Sequence, residues 1–148
     1  MSTQHRALPG AGTVAPDVVR LLARADAELV AAGLTSDPAE RFVHSHLGAL
    51  RAAAAVVALR GRPTSRTRAR SVWDLLALAE PGLSAWSVYF AGGARIRAAV
   101  EAGRFDVVDA PQAEEIMVCA EDFRDEVAML IDPDAGFVRH PTLRVVAS

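Results

Sequence analysis

The sequence predicts an all-α protein: a single domain over residues 1–148, built as an antiparallel bundle of four to five helices. Three observations carry this. Apolar residues recur with 4-3-4-3 spacing through most of the chain, the repeat of a helix with one buried face. Helix-start signals of the Asp-Pro-x-Glu and Asp-x-x-Gln kinds stand at Asp37 and Asp109. The one strand-like stretch, Thr142 to Val146, has no partner strand, too little for any sheet.

The elements follow in order. Residues 1–15 read as a loose tail. A first helix starts near Pro16–Asp17 and stops at Gly33, with Val18, Leu22, Ala25, Leu29 and Ala32 on one face. The second starts with Asp37 as N-cap, Pro38 in the first turn and Glu40 reaching back, and runs to about Arg60. Its apolar face is expected at Val43, Leu47, Leu50, Ala54 and Val57. Residues 61–70 read as an arginine-rich loop. A short third helix covers about Val72 to Glu80, and a fourth runs from about Leu83 toward Ala102. Gly92-Gly93 inside the fourth is a place for a kink or for a close neighbour. The fifth starts at the Asp109 cap and carries Ile116, Ala120, Phe123, Val127 and Leu130 on a stripe, with carboxylates around the rest. Residues 137–148 read as a second tail.

Composition narrows the function classes. One cysteine excludes a disulfide framework and a cysteine-built zinc site. Glu-x-x-His pairs for a di-metal bundle are missing, as are phosphate-cradling glycine loops and nucleophile elbows, so no cofactor or metal is expected. The absence of a signal-peptide core and of a long apolar run points to a cytoplasmic chain with no membrane contact. All 16 basic residues are arginine, and 30 residues are alanine, as in proteins from GC-rich genomes. Net charge is −2, but residues 1–70 are net positive and 71–148 net negative. Such a dipole steers an anionic ligand, docks head to tail with a copy of itself, or matches two halves of one bundle.

The second helix carries the one constellation with chemistry in it: Arg41-Phe-Val-His44-Ser-His46, with Gly48 and Arg51 after it. At about 100° per residue, Arg41, His44, Gly48 and Arg51 make a stripe with a side-chain gap at Gly48. The gap suits a phosphate or a partner helix, or marks an exposed boundary face. His46 is either a core-edge residue or one half of an Arg-x4-His pair with Arg41, the two lying about 140° apart around the helix. Arg60, Arg62, Arg66, Arg68 and Arg70 suit phosphate backbones through charge, without the aromatic platforms of single-strand readers. Trp73, Trp86, Tyr89 and Phe90 read as core, and Cys119 as a packed thiol.

Arg41 to His46, with the helix that follows to Arg60, resembles the Arg-x4-6-His signature of the HEPN superfamily of helical bundles. The resemblance covers about Pro16 to Ile131. It implies a homodimer and, in active members, a metal-independent endoribonuclease whose Arg and His line a cleft between protomers. Carried over, Arg41 would bind the scissile phosphate and His46 would act as general acid or base, with His44 as its rival. The primary reading is a non-catalytic HEPN-like module that binds nucleic acid or a protein partner through Arg41, His44, Arg51 and the arginines of 60–70. The alternative is the endoribonuclease.

Overall fold

The computed structural model describes residues 13–61 and 71–135. The expected tails and all but Gly61 of the expected loop therefore lie, wholly or in large part, outside the described residues. Five α-helices follow one another: α1 Pro16–Leu34, α2 Pro38–Arg60, α3 Val72–Ala79, α4 Ser84–Glu101 and α5 Ala110–Ile131. Single 3-10 turns at Pro81–Leu83, Phe105–Val107 and Pro133–Ala135 join or end them, and no strand occurs among the described residues.

Local chemistry sets the boundaries. Proline stands in the first turn of α1, α2 and α5, where no N–H is needed. The box at the head of α5 is complete: the Gln112 N–H donates to Asp109 Oδ1 at 2.9 Å, and the Asp109 N–H donates to Gln112 Oε1 at 3.0 Å. At the head of α2 the expected box is modified. Asp37 accepts from the Glu40 N–H at 3.0 Å, but Glu40 does not return to the cap. The Thr35 hydroxyl takes that place, accepting from the Asp37 N–H at 3.1 Å and donating to Glu40 Oε1 at 2.7 Å. Gly61 ends α2 at φ 83°, a conformation open to glycine, with its N–H on the Val57 carbonyl at 2.9 Å.

The bundle is organised around α2, against which α1, α3, α4 and α5 all pack. Its face differs from the sequence expectation. Phe42, Ser45, His46, Gly48, Ala49, Ala52, Ala53, Ala55, Val56 and Val57 are buried, whereas Val43, Leu47, Leu50 and Ala54 are only half-buried. The buried arc is turned by more than about 100° from the Val43 stripe. The reason is the number of neighbours: with four helices around it, α2 buries its small residues, because these let helix axes come close. By length and composition alone α2 would also span a bilayer, unlike the expectation, but most of its surface is covered by the other helices. The stripes of α1 and α5 are largely as expected, with Val18, Ala25, Leu29 and Ala32 buried on the first and Ile116, Ala120, Phe123 and Val127 on the second. Leu22 and Leu130 are only half-buried, and Glu121 and Asp125, expected among the solvated carboxylates of α5, are buried.

Candidate functional site

Arg41 leaves the first turn of α2 and turns to the end of α1. Its Nε donates to the Ala32 carbonyl at 3.1 Å and one terminal nitrogen to the Thr35 carbonyl at 2.6 Å. The other terminal nitrogen pairs with Glu114 Oε2 of α5 at 2.8 Å. These carbonyls belong to the last turn of α1, where intrahelical donors run out and partial negative charge gathers. The guanidinium therefore closes α1 and ties it to α5, with each of its three nitrogens holding one acceptor.

His46 points elsewhere. It is 0% exposed, enclosed by Phe42, Trp73 and Phe90 with ring centroids 5.9–6.4 Å from its own. Nε2 lies 2.8 Å from the Phe90 carbonyl, which can only accept, so Nε2 carries the proton and Nδ1 is bare. Nδ1 is buried without a partner. Burial is the main reason its pKa falls below the usual imidazole value; the nearby Arg97 charge adds to this, and the Phe90 carbonyl and Glu101 oppose it. Gly93 of α4 makes the enclosure possible, since a Cβ there would stand 3.1 Å from His46 Cδ2. Of the Gly92-Gly93 pair, Gly93 thus supplies a close approach and Gly92 faces open space, within a helix unbroken from Ser84 to Glu101.

The stripe of Arg41, His44, Gly48 and Arg51 is not an open face. A Cβ on Gly48 would meet Leu29 Cδ2 of α1 at 2.8 Å, so the gap is filled by the chain's own first helix. His44 is partly exposed, with Nδ1 2.8 Å from Glu28 Oε1. It lines a 350 Å³ pocket with Val43, Val100, Phe105 and the carboxylates Asp37 and Glu40, an unfavourable place for a phosphodiester. Arg51 Nε is buried without a partner. Arg60 donates twice to Glu80 Oε1, at 3.1 and 2.9 Å. Arg62, Arg66, Arg68 and Arg70 lie outside the described residues.

The structure thus does not bring Arg41 and His46 to one ligand: the first faces α1 and α5, the second α4. The aromatic residues expected in the core do pack together, Trp73 and Trp86 stacked on Phe90 with Phe123 tilted against it, and what the sequence reading missed is that His46 joins this cluster through Trp73 and Phe90. Phe42, four residues before His46 on the same side of α2, was the available signal. Arg124 and Asp26 form a further two-bond pair between α5 and α1, at 2.6 and 3.0 Å. No group of metal-ligating side chains occurs among the described residues.

A helical bundle with an Arg-x4-His pair on a central helix is of the HEPN kind. The family model described as HEPN_SAV_6107-like HEPN matches residues 31–128, and the chain belongs to that family. Comparison with curated proteins and with solved structures gives no match.

Proposed function

We propose that the chain is a non-catalytic HEPN module of the cytoplasm that works by docking a protein partner. The observation that carries this is the internal use of both motif residues. A general acid or base must reach the proton it transfers; His46 is wholly enclosed, its single donor taken by a backbone carbonyl. A phosphate-binding arginine needs free donors, and Arg41 has two carbonyls and a carboxylate on its fork. His44 is oriented by Glu28 but sits beside Asp37 and Glu40.

The chain's net charge of −2 gives it no net attraction for a phosphate backbone, which favours a protein over a nucleic acid as the partner. The test is incubation of a mixed-sequence RNA in EDTA with wild type, Arg41→Ala and His46→Ala. No cleavage by folded wild type is the expected result. Cleavage that both variants lose, with helicity retained by circular dichroism, would establish the endoribonuclease instead. Binding of intact RNA that weakens steeply with salt would move the partner to nucleic acid.

A further inference from the structure

Between α4 and α5 the bundle leaves a slot. Both helices pack on α2 while their backbones stand apart, so α2 floors the gap with Phe42. The slot holds about 200 Å³; Phe42, Ile96 and Ile116 are its apolar walls, and Tyr89, Gln112 and Glu115 its polar groups. Gly92 lines both this slot and the neighbouring cleft that carries Arg95. A Cβ on Gly92 would meet nothing within 4 Å, so no side chain at that position stands between Arg95 and the slot.

The polar groups are part used and part open. The Tyr89 hydroxyl donates to Glu115 Oε2 at 3.2 Å. Burial first, then the neighbouring Cys119 and Glu115, push the Tyr89 pKa up, so the hydroxyl keeps its proton and holds the carboxylate in place. Glu115 Oε1 is left to accept from a ligand. Gln112 Oε1 accepts the Asp109 N–H at 3.0 Å, which fixes the amide and leaves Nε2 as a donor. Arg95 is exposed, and its guanidinium has no partner among the described residues.

We propose that this slot binds a free apolar α-amino acid of about the size of leucine. Its ammonium donates to Glu115 Oε1, its carboxylate accepts from Gln112 Nε2 and the Arg95 guanidinium, and its side chain rests on Phe42, Ile96 and Ile116. A fixed carboxylate, fixed donors and an apolar floor within one small slot match the three parts of such a zwitterion. A fatty acid alone would set its carboxylate against Glu115, and an amine alone would set its charge against Arg95. Size narrows the class further. Clefts that take drug-sized ligands hold roughly 300–1,000 Å³, so a slot of about 200 Å³ admits about ten non-hydrogen atoms. The site does not rest on the docking reading and stands or falls apart from it.

Titration of the isotope-labelled full chain with L-leucine, followed by NMR, tests this. The Gly92, Gly93 and Ile116 amides should shift and saturate with a Kd of about 0.1–1 mM, the range for a ligand of about ten heavy atoms. Leucinamide lacks the carboxylate and isocaproate lacks the ammonium; each should bind about 3- to 10-fold more weakly, as for a charged hydrogen bond lost at a part-exposed site. Arg95→Gln should weaken leucine by the same factor and leave leucinamide unchanged. Glu115→Gln should weaken leucine likewise and leave isocaproate no weaker. Gly92→Leu fills the mouth of the slot and should abolish binding with thermal unfolding retained, since the position is open in the bundle. No saturation by about 10 mM leucine overturns the proposal. So does equal binding of the three compounds, or leucine binding that survives Gly92→Leu.

Discussion

Replacing Arg41 by alanine should damage the fold. Two of its bonds go to main-chain carbonyls at the end of α1, and hydrogen bonds involving a charged group contribute about 1.5–3 kcal/mol each. Water can reach part of the vacated site, because the Arg41 side chain is 22% exposed, so the sum is discounted. Glu114 is half exposed, and that ion pair adds at most about 1 kcal/mol. The expected loss for Arg41→Ala is therefore about 2–4 kcal/mol, or a fall in Tm of roughly 6–12 °C for a chain of this size. Lysine cannot form the planar fork and should lose about half as much. Glu114→Gln should lose less than about 1 kcal/mol. Urea unfolding followed by circular dichroism gives these as midpoint shifts at constant slope. If Arg41→Ala costs less than about 0.5 kcal/mol, or Glu114→Gln costs as much, the clamp is not what this arginine is for.

Two further outcomes follow from the same packing. His46 stays neutral in the fold because burial lowers its pKa, whereas in the unfolded chain it protonates near 6.5. Its contribution is therefore complete above pH 6.5 and is lost below it, down to the lowered folded value, at no more than about 1.4 kcal/mol per pH unit. The difference in unfolding free energy between wild type and His46→Gln should shrink from pH 7 to pH 5.5; a constant difference would mean the imidazole is not enclosed. Gly48→Ala and Gly92→Ala, both inside helices, should have opposite signs. The first forces a methyl into Leu29 and should cost about 1–2 kcal/mol; the second meets open space and should stabilise by up to about 1 kcal/mol through helix propensity. Thermal unfolding of the two variants side by side decides it, and equal shifts would discount the packing at Gly48.

What the sequence made legible was what a single turn or a single neighbour controls. The Asp109–Gln112 box closes within four residues, so nothing distant can alter it. The stripe of α1 was readable because that helix covers one side of the bundle and leaves the other to solvent. On α2 the same reasoning chose Val43, Leu47, Leu50, Ala54 and Val57, and of these only Val57 is buried while the other four form its half-buried edge. Periodicity finds a face by contrasting it with a solvated one, and a helix with neighbours on four elements has little solvated surface to contrast. The signal that did point inward was size: Ser45, Gly48, Ala49, Ala52, Ala53 and Ala55 are wasted on an exposed surface and useful only where other helices come close.

The same geometry explains why the motif read as chemistry. Residues five apart on a helix point about 140° away from each other. On a peripheral helix one of them faces solvent, and a ligand can gather both only across a dimer or around a helix end. On a central helix both directions lead to neighbours, and a polar residue at either position must find an internal partner or stay unsatisfied. Arg41 finds the open carbonyls of α1, and His46 finds the Phe90 carbonyl of α4. An arginine and a histidine at this spacing are thus what a buried α2 needs in order to fasten two different neighbours. The pair argues for a reaction only where at least one member is left facing solvent with its donors free. Here both are committed to the bundle.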